Sequence, residues 1–249
     1  MVENIEYIFK VIENRALNAK TRVMRLQGDG TIFTAPGQFI NIKVEGKFLR
    51  RPISVCDYSN DTVTILYDVV GDGTAEMSEW ECGREVNILA PLGNGFDINT
   101  DSRRPLLLGG GIGIAPLYRL AKDLIAQGKE PCVILGFNSS REVCWADQFR
   151  AAGAETYIAT VSGEEGTKGF VTDVPACKDP EKDYFYACGP MPMLRALCEG
   201  LEIPGEISLE ARMACGFGVC MCCSLATKDG AKRICKDGPV FKKEELIWK

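Results

Sequence analysis

The hydrophobic period of this chain changes once, at Arg103-Arg104-Pro105, and that change restricts the fold more than any other feature. Before it, apolar residues alternate. Val63, Ile65, Tyr67 and Val69 fall on one face of a period-two run, and similar pieces occur near residues 5–14, 20–27, 38–44, 52–57 and 84–90. Six short strands with few helical stretches predict a small antiparallel six-stranded barrel over residues 1–100. After the change, strands alternate with helices. Leu106-Leu107-Leu108 reads as a short buried strand and a glycine cluster follows at 109–113. Pro116 then opens an amphipathic helix that carries Leu117, Leu120, Leu124 and Ile125 and ends before Gly128. Val133-Ile134-Leu135, Thr156–Val161 and Tyr184–Ala187 continue the pattern, so residues 101–208 read as a parallel α/β domain.

Residues 209–249 are too few to build a core of their own, and segments of that size usually rely on a metal or another staple. The segment supplies one set of donors: Cys215, Cys220 and Cys223 in a C-x4-C-x2-C run, with Cys235 after eleven further residues. That is the ligand spacing of a plant-type 2Fe-2S cluster, and the interleaved glycines let backbone N–H groups approach the sulfurs. Four cysteines also describe a structural zinc site, which remains the alternative. Zinc ribbons favour two short knuckles, whereas the second pair here is widely spaced. Cys222 sits between two proposed ligands and competes with Cys223; the two-residue gap favours Cys223.

Composition excludes several classes. With 46% hydrophobic and 25% charged residues, the chain resembles an ordinary soluble globular protein. No apolar run approaches a membrane span, and Met1-Val2-Glu3-Asn4 lead into strand-like sequence without a signal peptide, so a cytoplasmic location with no membrane partner is expected. Of the 12 cysteines, Cys56, Cys82, Cys132, Cys144, Cys177, Cys188 and Cys198 are scattered singly through apolar stretches, as small hydrophobes in a reducing compartment are. There are 0 histidines, which excludes a Rieske centre, a Ser-His-Asp triad and any imidazole acid or base. A net charge of −5 with no basic stripe argues against nucleic acid as a partner.

Three further motifs carry chemistry. Gly109-Gly110-Gly111-Ile112-Gly113-Ile114-Ala115-Pro116 lies between a strand and a helix, where bare amides can receive a pyrophosphate. It departs from G-x-G-x-x-G, and the next strand runs into Asn138-Ser139-Ser140, with no ribose-binding acid at its end. In isolation the loop is equally a tight turn; its strand–helix setting favours a nucleotide. Cys188-Gly189-Pro190 follows an apolar strand at the ligand-binding end of the sheet, and by itself reads better as a buried cysteine before a turn. In the barrel, Arg51-Pro52-Ile53-Ser54 offers a guanidinium fork and a hydroxyl, Gly73-Thr74 can open a short helix toward a phosphate, and Pro91-Leu92-Gly93-Asn94-Gly95-Phe96 closes the domain. Electron counting links these pieces. Nicotinamide exchanges a hydride, a 2Fe-2S centre exchanges one electron, and a flavin can do both.

Arg51-Pro52-x-Ser54, the glycine loop, Cys188-Gly189-Pro190 and the terminal cysteines, in that order, resemble the ferredoxin reductase superfamily over essentially the whole length. More narrowly, Gly166-Thr167-Lys168-Gly169-Phe170-Val171-Thr172-Asp173, Leu209-Glu210-x-Arg212-Met213-Ala214-Cys215-Gly216 and Cys235-Lys236-Asp237-Gly238-Pro239-Val240-Phe241 resemble the electron-transfer subunit of the NAD-dependent, B-type dihydroorotate dehydrogenase. The last motif is shared with related hydrogenase subunits. The resemblance implies FAD against Arg51, Pro52, Ile53, Ser54, Leu66, Tyr67 and Asp68, with its phosphates at Gly73 and Thr74. It implies cluster ligands Cys215, Cys220, Cys223 and Cys235, and NAD over Gly109, Gly110, Gly111 and Gly113 with Cys188 near the nicotinamide. Gly163 stands where NADP-preferring relatives often carry arginine, which favours NAD.

The family's partner subunit oxidises dihydroorotate to orotate at its own FMN in pyrimidine synthesis, in an assembly with two copies of each chain. The resemblance therefore implies an oxidoreductase subunit that carries electrons to NAD+ and has no catalytic acid or base of its own. A reductase subunit of a sulfhydrogenase or bifurcating complex is the nearest rival, and Cys215 speaks against those bifurcating relatives that use Asp as first ligand. A zinc-stabilised nucleotide-binding module is the rival from another class.

Overall fold

The computed structural model describes residues 5–248; Met1–Asn4, ahead of the first predicted strand, and Lys249 lie outside the described residues. Strands β1 (Glu6–Ala16), β2 (Thr21–Gln27), β3 (Phe39–Ile42), β4 (Arg51–Tyr58) and β5 (Thr62–Asp68) are followed by helix α1 (Asp72–Ser78) and strand β6 (Glu85–Leu92). The six strands close into an antiparallel barrel in the order β1-β2-β5-β4-β3-β6. Alternation decides which side chains fill it. Val63, Ile65 and Tyr67 point into the barrel with Met24, Leu26, Ile40 and Ile88, and Val69 packs at its edge. Val23, Cys56 and Leu66, on the opposite faces of their strands, point outward and join a second core instead.

That second core is shared with the α/β half. After β7 (Leu106–Gly110) the chain enters α2 (Ala115–Ala126), with Pro116 in its first turn. Leu117, Leu120 and Leu124 are fully buried on the face turned to the barrel and sheet, each worth about 1.5–3 kcal/mol relative to exposure. Gln127 caps the helix and Gly128 leaves it at φ +79, the left-handed position that favours glycine. Polar contacts reinforce the junction. Lys122 Nζ pairs with Asp57 Oδ2 at 2.7 Å, and the Arg119 guanidinium lies 3.8 Å over the Tyr58 ring.

The sheet continues through β8 (Cys132–Phe137), α3 (Ala146–Ala151), β9 (Glu155–Thr160), β10 (Thr167–Lys168), β11 (Phe185–Cys188), α4 (Met191–Gly200) and β12 (Gly205–Ser208). The C-terminal segment adds the hairpin β13 (Ser224–Thr227) and β14 (Gly230–Arg233), the short helix α5 (Ile234–Asp237) and β15 (Val240–Lys242). The main sheet has the order β10-β9-β8-β7-β11-β12-β15, parallel except for β15, which runs antiparallel to β12.

This last pairing changes one physical expectation. The C-terminal segment is not stapled by a metal alone. Cys223, Ile234, Cys235, Phe241 and Leu246 sink into a core with Phe39 and Leu92 of the barrel and Leu108, Phe185 and Ile207 of the sheet. Shortness is therefore no independent argument for a cluster, because the segment borrows a core already present.

Candidate functional site

A cavity of about 380 Å³ opens where the barrel meets the sheet. Its walls are Arg51, Pro52, Ile53 and Ser54 of β4, Leu66, Tyr67 and Asp68 of β5, Thr74 of α1, Ile112 and Ala115 after β7, and Ser208 at the end of β12 with Leu209, Glu210, Ala211 and Met213 beyond it. Eight of the nine residues assigned to the flavin thus line one space. Gly73, the ninth, lies beneath the Arg51 side chain: a Cβ there would stand 2.1 Å from Arg51 Nε and 2.5 Å from its Cζ. The guanidinium is held over the start of α1, whose first turn has no side-chain cap and keeps its N–H groups available to an anion. Thr74 Oγ1 accepts from Val70 N at 2.9 Å and Gly71 N at 3.2 Å, which folds the chain into that turn. This cradle fits a diphosphate. Tyr67 contributes no polar group, since its hydroxyl donates to Asn14 Oδ1 at 3.0 Å inside the barrel.

A larger cavity, about 640 Å³, lies at the carboxyl ends of the parallel strands, where the chain order reverses between β7 and β11. Open α/β sheets bind ligands at such a reversal. Gly110, Gly111 and Gly113 face it, with Gly136 and Phe137 at the end of β8, Asn138 just beyond it, Val161 after β9, and Gly189 and Pro190 after β11. The glycine loop and the Cys-Gly-Pro turn are pressed together: a Cβ on Gly113 would stand 2.4 Å from Cys188 O. Gly109 and Cys188 do not reach the wall. Gly109 is paired inside β7, and Cys188 is 1% exposed, beneath its neighbours. Burial pushes the Cys188 thiol far up, the Glu210 charge adds to this and a Ser208 hydrogen bond opposes it, so the thiol stays protonated.

Asp68, Ile112 and Glu210 line both cavities. Glu210 is accessible through these spaces while protein surrounds it on the other sides; burial and then the charge of Asp68 raise its carboxyl above the ordinary range. Lys20, Asn138 and Glu142 also face the larger cavity and were not singled out from sequence. Lys20 Nζ reaches Asp68 at 3.5 Å and Glu142 at 3.3 Å, joining the β1–β2 turn to the loop after β8. Asn138 and Glu142 are neighbours in the chain, but no local pattern marks Lys20 as their partner, because only the packing of barrel against sheet brings it to Glu142.

The cysteine loop begins two residues beyond Met213, a chain distance of at most about 7 Å. Asn41 Nδ2 of β3 donates to Cys215 O at 3.2 Å and fixes the loop to the barrel. The thiols associate in pairs: Cys215 with Cys220, and Cys223 with Cys235, within hydrogen-bonding reach. Among the described residues, no three Cys, Asp or Glu side chains converge tightly enough to hold a single metal ion. Cys223 and Cys235 are buried and Cys235 N points at Cys223 Sγ at 3.4 Å. Cys222 is exposed and turns its thiol toward Arg212 O at 3.6 Å, away from the pairs.

The pairs differ in proton affinity. Burial raises Cys215, but N–H groups of Cys220, Phe217 and Val219 and the Cys220 side chain outweigh it and bring the thiol to about 6. Burial, the hydrogen bond with Cys223 and the charges of Cys223 and Cys215 push Cys235 up to about 12.

Comparison with known proteins fits this geometry. Residues 210–247 match the family described as the iron-sulfur cluster binding domain of dihydroorotate dehydrogenase B, and residues 107–199 match the oxidoreductase NAD-binding domain. The chain is 44% identical over 245 residues to the electron transfer subunit of dihydroorotate dehydrogenase B (NAD(+)) of Fusobacterium nucleatum, covering 93% of this chain and 94% of the relative. It is 40% identical over 247 residues to the same subunit of Lysinibacillus sphaericus, covering 94% and 95%. Among solved structures, the NADH-dependent reduced ferredoxin-NADP oxidoreductase studied for flavin-based electron bifurcation superposes with a TM-score of 0.86 at 27% identity, covering 100% of this chain and 92% of that one. The ferredoxin reductase of carbazole 1,9a-dioxygenase, at 22% identity and a TM-score of 0.68, covers 78% of this chain and 64% of its own and shares the fold.

Proposed function

The chain belongs to the electron transfer subunits of NAD+-dependent dihydroorotate dehydrogenase B, and we propose that it takes electrons from an FMN-containing catalytic subunit through a 2Fe-2S cluster and FAD to NAD+. One observation supports this route above the others: the smaller cavity shares Asp68, Ile112 and Glu210 with the larger one and ends at Met213, two residues before the cysteine loop. An acceptor in the larger cavity and a cluster on the loop would both adjoin the same central space.

When bound, the flavin exchanges electrons singly or as a hydride pair, and the cluster exchanges them singly. The chain's own residues bind and orient. Arg51, Gly73 and Thr74 would hold the flavin diphosphate, and Pro52, Ile53, Ser54, Leu66, Tyr67 and Asp68 would wall the space for the rest of the cofactor. Gly110, Gly111 and Gly113 would give NAD+ a backbone surface, Gly109 packs beneath them against Ile114, and Cys188 is a protonated floor residue. Cys215, Cys220, Cys223 and Cys235 would hold the cluster, and their spacing is that of a plant-type 2Fe-2S site.

In this reading residues 1–100, 101–208 and 209–249 form the flavin, NAD and cluster regions, and the assembly holds two copies of each subunit in the cytoplasm, serving pyrimidine synthesis. Among the described residues no helix is long and apolar enough to cross a membrane. The test is an anaerobic visible spectrum before and after NADH, with iron, sulfide and flavin analysis and identification of the copurifying subunit. Flavin and iron–sulfur bands that bleach together, beside an FMN dehydrogenase, are expected. A colourless zinc protein, or recovery of a hydrogenase or second reductase in place of that dehydrogenase, would overturn the assignment.

A further inference from the structure

One face of β3 touches both the smaller cavity and the cysteine loop. Phe39, at the start of the strand, lines that cavity. Asn41 is two residues on, and therefore on the same face of the pleat; its Nδ2 donates to Cys215 O at 3.2 Å. Ile40 and Ile42, on the other face, fill the barrel. Two residues of strand, roughly 7 Å, thus separate the cavity wall from the anchor of the first proposed ligand. The next strand carries more of the same wall, since Asn41 pairs with Pro52 and Phe39 with Ser54.

Asn41 is an unfavourable residue for this position. It is 1% exposed, and its Oδ1 has no hydrogen-bond partner among the described residues. Turning the amide over would not help, because Oδ1 would then face Cys215 O, acceptor against acceptor. An apolar side chain of the same size would leave no buried oxygen unpaired. The donor therefore has a use that stability does not supply. The loop is shaped to meet it. Gly216 has φ +80, and a Cβ there would stand 2.5 Å from Asn41 Nδ2, so the loop backbone lies directly on the amide. Phe217 and Val219, just beyond, are exposed.

We propose that Asn41 is a positioning residue for electron transfer between cluster and flavin. Its amide holds the Cys215 end of the loop at a fixed distance from the flavin wall, and its N–H dipole, aimed at the first ligand's peptide, favours the reduced cluster. This rests on the cluster and flavin assignments proposed above. One electron leaves one centre and enters the other, and no bond at Asn41 forms or breaks. Electron tunnelling falls steeply with distance, and N–H dipoles near a cluster raise its reduction potential.

The experiment uses the full chain loaded with FAD and iron, as wild type, Asn41→Leu and Asn41→His. Leucine has a similar volume and no donor; the Nδ1 of histidine stands where the amide nitrogen does and returns an N–H. Redox titration followed by electron paramagnetic resonance gives the cluster midpoint, and stopped-flow mixing with NADH follows flavin and cluster bleaching separately. Asn41→Leu should lower the midpoint and slow cluster reduction severalfold, with flavin content and the rate of flavin reduction by NADH unchanged, and Asn41→His should reverse both effects. Loss of the cluster alone from Asn41→Leu, recovered in Asn41→His, also supports the proposal. A wild-type midpoint and transfer rate in Asn41→Leu overturn it. So does a shift that Asn41→His fails to reverse, or loss of flavin and cluster together in both variants, since the amide would then only support the barrel. A wild type that takes up zinc and no iron or sulfide overturns the cluster assignment itself. That result is distinct from an iron-loaded wild type whose Asn41 variants behave as it does.

Discussion

Glu206 is a carboxylic acid in the wrong solvent, and the cost should be measurable. It lies on β12 with 5% of its surface exposed, between Tyr186 on β11 and Lys242 on β15, with Asp97 and Glu245 also nearby. Burial raises its carboxyl from 4.5 to about 7; the Asp97 N–H, which donates to Oε2 at 2.9 Å, and the Lys242 charge offset only part of this, and the charges of Asp97 and Glu245 add to it. The folded protein therefore keeps a proton that the unfolded chain loses between pH 4.5 and 7. Its stability falls with rising pH across that window and is level above it. At about 1.4 kcal/mol per tenfold difference in proton affinity, the ionised form costs the fold on the order of 3 kcal/mol above pH 7. Glu206→Gln keeps an oxygen for the Asp97 N–H and removes the charge. Its apparent thermal midpoint, followed by tryptophan fluorescence at one scan rate, should match the wild type near pH 4.5 and exceed it by roughly 6–12 °C at pH 8. A difference between the two proteins that does not vary with pH would refute the reasoning.

Cys223→Ser should abolish iron and sulfide incorporation whereas Cys222→Ser retains both, measured per chain after anaerobic reconstitution; the reverse would move the third ligand to Cys222. Arg51→Ala should weaken FAD binding roughly tenfold or more, as loss of a charge-assisted contact does, and unchanged flavin content after dialysis would remove Arg51 from the site. Gly113→Ala should lower the thermal midpoint and raise the KM for NADH, because its methyl carbon would meet the Cys188 carbonyl at 2.4 Å, and neither backbone can give way alone. Wild-type values for both would mean that the close approach of the two turns is unimportant.

Periodicity made the barrel and the sheet legible. Alternation at Val63, Ile65 and Tyr67 reports which side of a pleated strand is dry, and the spacing of Leu117, Leu120 and Leu124 reports one face of a helix; both are local consequences of backbone geometry. The cysteine spacing is legible for a similar reason, since thiols close in sequence share one loop, and the motif order carried the family. Sequence also brought together the residues of β4 and β5 that line the smaller cavity, through motifs whose meaning came from resemblance.

Long-range placement was decided by tertiary structure alone. No local pattern says that β15 crosses back to pair with β12, that Cys188 lies under Gly113 instead of in the cavity wall, or that Glu210 faces two cavities at once. The same holds for Asn41, which lies 174 residues from the Cys215 it binds. A side chain's hydrogen-bond partners and burial depend on segments distant in the chain, and only the packing of barrel against sheet fixes which of them meet.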